Sequence, residues 1–169
     1  MNLSMYEASV PLFVHSLQSL KVILKKGQAF AEARKFDPAN LVSARLYPDM
    51  LPLNRQVQIA SDAAKGAAAR LTGTDVPKFE DTETTFPELI ARVDKTIDYL
   101  QGFKPAQFEA AETRTITVKT PNAEFSFPGL VFLRHWAIPN FYFHTTTAYD
   151  ILRHNGVEIG KADFLGRVS

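Results

Sequence analysis

The chain contains no cysteine. That absence excludes disulfides, thiolate catalysis and Cys-ligated zinc, and it is compatible with a reducing compartment. An excess of one charge sign is missing as well: 19 basic and 18 acidic side chains leave a net charge of +1. A near-neutral chain whose only basic cluster is Lys25-Lys26 offers no electrostatic case for nucleic acid or for an anionic membrane. No apolar run approaches the roughly 20 residues that span a bilayer. The N-terminal stretch MNLSMYEASVPLFVHSL lacks a basic start and carries Glu7 and His15 within its apolar part, so it does not read as a secretory signal. Internal repeats and low-complexity tracts are absent. The expectation is a soluble, cytoplasmic protein with no nucleic-acid or membrane partner.

What remains is an ordinary globular composition, 46% hydrophobic and 22% charged, over 169 residues. One domain, 1–169, can bury a sizeable core at that length. Val10, Phe13, Val14, Leu17, Leu20 and Leu24 recur at helical spacing, predicting a first helix from about Ser4 to Lys26. Ser4 and Glu7 form a capping-box pattern, and Gly27 reads as the C-cap. Residues 29–35 suit a short helix, and Asp37-Pro38 reads as the start of another through Leu46. A second long helix spans about Leu51 to Leu71. Its many alanines predict close approach to a neighbour, and Gly73 ends it. A polar, acidic loop over 74–85 leads to a third helix, Phe86 to about Leu100, capped by Thr84 or Thr85 and stopped by Gly102.

The periodicity then changes. Ile116 and Val118 alternate with Thr115, Thr117 and Lys119, Pro121-Asn122 is a turn signal, and Phe125 and Phe127 alternate with Glu124 and Ser126. This predicts a β-hairpin with one apolar face, which needs the helices to cover it. The last helical region runs from about Pro128 to Asn155, kinked or restarted at Pro139. The tail after Gly156 reads as irregular, folding back over the bundle. The fold expected is mainly all-α: a four-helix bundle with a small β-hairpin inserted before the last helix.

Few residues suggest chemistry. His15 lies opposite the main stripe of its helix and reads as solvated. His154 suits the negative end of a helix dipole, and the face of His135 is not fixed by the pattern. His144 shares the inward stripe of the last helix with Asn140, Phe141, Thr147 and Ile151. Gln56 lies inward on the second long helix with Leu53, Ile59 and Ala60. Buried polar groups need partners, so each is either satisfied core or the lining of a pocket. Helical bundles build their sites from such facing groups.

The segments RLYPDMLPLNRQVQIASDAAKGAAARLTG (45–73) and PNFYFHTTTAYDILRHNGVEIGKADFLG (139–166) resemble two blocks of an uncharacterised bacterial family within the DinB/YfiT-like superfamily. That resemblance covers nearly the whole chain and implies a four-helix bundle. Many superfamily members bind a divalent metal through three histidines, or two with a carboxylate, and some are thiol-dependent transferases or isomerases. Many are dimers. Carried over to this sequence, the ligand positions fall on Gln56, Asn140 and His144. Two of the three are neutral amides, which are weak donors for zinc. The expectation is therefore no tightly held metal; a zinc or nickel ion, if bound, would sit on His144, Asn140 and Gln56.

Three functions compete on these grounds. One is a small-molecule-binding or enzymatic pocket at the degenerate metal position, lined by Gln56, Asn140, His144, Tyr6, Tyr47, Met50 and His135, with His144 the best catalytic candidate. Another is a metal-dependent, thiol-transferase-like enzyme that draws on His135 or Asp62. The third is a non-catalytic homodimeric scaffold, for which the apolar stretch from Pro128 to Trp136 could form the interface. Whether the chain is an enzyme stays open.

Overall fold

The computed structural model describes residues 3–120 and 122–167. Among them run helices α1 (Val10–Arg34), α2 (Ala39–Val42), α3 (Leu53–Thr72) and α4 (Phe86–Gln101), followed by a 3-10 turn (Pro105–Phe108). Strands β1 (Thr115–Thr120) and β2 (Ala123–Pro128) come next. An unbroken helical run then follows: α5 (Gly129–Phe132), a π-turn (Leu133–Ala137) and α6 (Ile138–His154). Helix α7 (Lys161–Leu165) lies in the tail. The architecture is the mainly helical bundle with a hairpin before its last long helix. Helix α4 packs on both α1 and α3, α3 packs on α6, and α6 closes against α1. Among the described residues no helix is long and apolar enough to cross a membrane.

The helix patterning explains most of the core. Phe13, Leu17, Leu20 and Leu24 of α1 are buried, as are Ala60, Ala64, Ala67 and Ala68 of α3, whose short side chains let the neighbouring backbones approach. Thr85 caps α4 in a reciprocal box with Glu88. Gly73 adopts a left-handed φ of 72° at the end of α3, where a side chain would be strained. The Ser4–Glu7 box forms too, with Glu7 N–H donating to Ser4 Oγ at 3.2 Å, but it caps a preliminary turn, and α1 proper starts at Val10.

Several local expectations are corrected. Gly27 does not end α1, which continues to Arg34 and is capped by Lys35 in the left-handed region. A Cβ at Gly27 would lie 3.1 Å from both the Phe86 ring and Leu152. The glycine serves helix packing, which local sequence cannot distinguish from a cap. Gly27→Leu should overpack this junction and cost about 1–3 kcal/mol, read as a lower urea midpoint. Helix α2 ends at Val42 and not Leu46, although Asp37 Oδ1 accepts from Ala39 N–H at 2.9 Å as a cap.

At Pro139 the helical run continues, with α6 restarting just before it at Ile138. The π-turn immediately before it, closed by Ile138 N–H donating to Leu133 O, shifts the hydrogen-bond register. Pro139 then occupies the first turn of α6, just after the register shift, where its missing N–H is accommodated.

The hairpin pairs Ile116 with Phe127 and Val118 with Phe125 in an antiparallel register. Ile116 and Val118 are buried, and both phenylalanine rings lie against Trp136, at 5.3 and 5.7 Å between centroids. Asn122 is in the turn; Pro121 lies outside the described residues. The tail folds back as expected but forms α7. Lys26 pairs with Asp163 at 2.6 Å, and His15 Nε2–H donates to Leu165 O at 2.7 Å, so His15 is half-buried under the tail rather than solvated.

Candidate functional site

Of the polar groups expected to face inward, Gln56 of α3 and His144 of α6 meet directly. Gln56 is 1% exposed and His144 9%. The Gln56 side-chain amine donates to Leu51 O at 2.9 Å, which fixes the orientation of the amide and leaves Oε1 as an acceptor. His144 Nδ1 lies 2.7 Å from that oxygen, so Nδ1 must carry the proton. The lone pair is then on Nε2, which has no hydrogen-bond partner among the described residues. Phe143 covers the imidazole edge-on, with centroids 5.2 Å apart.

Burial pushes the His144 pKa below its ordinary value of 6.5. The folded protein therefore holds a neutral ring while the unfolded chain takes up a proton first. Stability that is complete above about pH 6.5 should be lost as pH falls toward the folded pKa. Urea titrations of the wild type between pH 7 and 5 should show this slope, and His144→Gln should reduce it. A wild-type slope unchanged by that substitution would contradict the assignment.

One helical turn from the pair, on both helices, a cleft of about 230 Å³ opens between α3, β1 and the last helical run. Its apolar walls are Ile59, Ala63, Val118, Phe132, Trp136 and Ala137, and its polar groups are Asn140, Arg70 and Asp62. Asn140, half-buried, precedes His144 by one turn and faces this cleft without bonding to the Gln56–His144 pair. Four other residues expected here are not in the lining of this cleft. Tyr6 packs edge-on against Phe108, Tyr47 is exposed, Met50 is half-buried in the loop before α3, and His135 is exposed on the π-turn. None of the four hydrogen-bonds to Gln56, Asn140 or His144.

Two features escape sequence reasoning. Arg70 lines the cleft, and the spacing of Ile59, Ala63, Gly66 and Arg70 along one face of α3 was the signal that could have found it. The other is an ionic cluster behind the cleft. Arg92, its side chain 1% exposed, donates to Asp62 at 2.9 Å and pairs with Asp81 and Glu83 at 3.0 Å each. Asp62 also pairs with buried Lys65 at 2.6 Å, so its charge is answered within the protein. Phe79 of the 74–85 loop lies under Lys65 and Lys95, 4.4 and 4.0 Å from its ring centre. These pairings join a structureless loop to two helices and leave no periodic trace.

The donors near His144 are one imidazole, whose Nδ1 is committed, and two neutral amides. Among the described residues no group of three or more His, Asp or Glu side chains converges as a metal site.

A family model described as a domain of unknown function (DUF1993) matches residues 5–165. Among solved structures, the chain is similar to the crystal structure of a DinB family member from Shewanella denitrificans. The two share 46% identity over 97% of this chain and 93% of that one, with a TM-score of 0.89. No protein of curated function matches.

Proposed function

We propose, from the premise that this chain belongs to the DUF1993 family and has a DinB-like fold, that it binds a small molecule without a metal ion in the cleft between α3 and the last helical run. The observation that carries this reading is the buried 2.7 Å bond from His144 Nδ1–H to Gln56 Oε1. With its proton directed at Gln56, Nδ1 is not a metal donor, and Nε2 is the one ring nitrogen left with a lone pair. Gln56 and Asn140 are uncharged, so no anionic ligand supports a divalent cation. These groups do not fit a zinc or nickel centre. They fit a polar edge beside an apolar cavity, the usual make-up of a small-molecule site. Asn140 supplies amide donors and an acceptor within the cleft, and the free Nε2 of neutral His144 is a proton acceptor one turn away.

A thermal-shift screen of small organic molecules on tag-free protein, comparing wild type with Asn140→Leu, tests this. Compounds that raise the wild-type Tm and lose that effect in the variant are the expected result. If every stabilising compound acts equally on both proteins, the cleft is not the site.

A further inference from the structure

We infer that the cleft takes a small apolar carboxylate, with the Arg70 guanidinium as the group that binds the carboxylate. This deepens the small-molecule reading and rests on it. Arg70 lies in the last turn of α3 and lines the cleft together with Trp136 and Asn140. Its side chain folds back across Gly66, where an added Cβ would collide with Nη1, so the absence of a side chain at that position makes room for the guanidinium. Among the described residues, no carboxylate or carbonyl oxygen pairs with it. The contrast with its neighbours is instructive. Arg55 and Arg92 both pair with carboxylates, and Asp62 at the back of the cleft is already neutralised by Lys65 and Arg92. The C-terminal end of a helix favours a cation, which accounts for an arginine in this turn but not for its missing counter-ion. Burial lowers the Arg70 pKa, with no compensating charge or hydrogen bond.

A partly desolvated guanidinium with no acceptor among the described residues is matched by a planar carboxylate, which can accept two parallel hydrogen bonds. The remaining walls, Ile59, Val118, Phe132 and Trp136, suit a hydrocarbon body. A volume near 230 Å³ corresponds to roughly eight waters. That limits the body to about one ring or a short branched chain. Neutral Asn140 can donate to the same carboxylate or to a second polar group. The π-turn that carries Trp136 and Ala137 sets this wall, and such turns recur at functional sites.

Trp136 is the single tryptophan of the chain and lines the cleft, so a ligand bound there should change its emission. The probes are cyclohexanecarboxylate and 4-methylpentanoate, each titrated beside its neutral amide. The full-length protein is compared with Arg70→Met and Arg70→Lys, each checked for unchanged Tm. The expected result is a saturable change in Trp136 emission with both carboxylates and affinity at least about tenfold weaker for the amides. Arg70→Met should lose about tenfold or more in carboxylate affinity, and Arg70→Lys should restore part of it. Equal binding of acids and amides, indifferent to Arg70, would overturn the carboxylate assignment while leaving a small-molecule cleft in place. Carboxylates that do not perturb Trp136 at millimolar concentration would overturn it as well; amide binding in the same experiment then shows that the cleft reading survives, and its absence that neither does.

Discussion

Arg92→Met is expected to destabilise the protein by about 3–5 kcal/mol, read from urea unfolding at pH 7. The guanidinium is buried, and it donates to Glu80 O at 2.9 Å as well as to Glu83 and Asp62. A methionine fills much of the same volume but leaves the carboxylates of Asp62, Asp81 and Glu83 without their shared cation. Each keeps one other partner: Lys65 for Asp62, Arg55 for Asp81 and Gln58 for Glu83. That residual pairing places the loss toward the lower end of the range. The effect has a pH signature. Burial alone would raise the Asp81 pKa, but hydrogen bonds and charge from Arg55 and Arg92 outweigh it and hold the carboxyl below its ordinary 3.8. A depressed carboxylate contributes stability that is complete above the unfolded pKa and lost as pH falls through the folded one. The gap between wild type and Arg92→Met should therefore narrow below about pH 4. A loss under 1 kcal/mol, or a gap that widens in acid, would mean the cluster does not hold the 74–85 loop.

Phe141→Ala should cost about 3–5 kcal/mol as well, through lost burial and the cavity left behind. Phe141 is fully buried and meets Phe13 of α1 edge-to-face at 4.9 Å and Tyr142 at 5.4 Å. It sits between Asn140 and His144 on α6, so this packing sets how the polar edge of the cleft is presented. The variant should also broaden the Trp136 and His144 NMR signals if it remains folded. Sharp, unshifted signals together with a full stability loss would show that the site is held by other contacts.

The sequence was most legible where one helix face or one strand face decides the outcome. The stripes of α1, α3 and α4, the alternation of β1 and β2 and the Thr85–Glu88 box are all local patterns, and the structure has them. It was least legible where a residue answers to something distant. Gly27 has the sequence context of a helix cap, but its role is set by Phe86 and Leu152. Pro139 has the local signature of a restart, but the π-turn that precedes it leaves no mark in the sequence. His15 looked solvated because its partner is a backbone carbonyl at Leu165. For the candidate site, inward stripes pointed to Gln56, Asn140 and His144, because buried amides and imidazoles stand out among apolar neighbours. Tyr6, Tyr47, Met50 and His135 had no geometric basis in the pattern, and none of them lines the cleft between α3 and the last helical run. Arg70 does not stand out in the sequence, because an arginine near the end of a helix has an ordinary electrostatic explanation.

The measurement that bears most directly on a metal-free site is a zinc titration of tag-free protein followed through the ring nitrogens of His144 by long-range proton–nitrogen correlation, with His144→Ala to assign the signals. The expected result is a neutral ring protonated at Nδ1 at pH 7, unchanged by one equivalent of zinc. A stoichiometric shift of either His144 nitrogen, with loss of the Nδ1 proton or capture of Nε2 by the metal, would contradict the account and make this a metal centre.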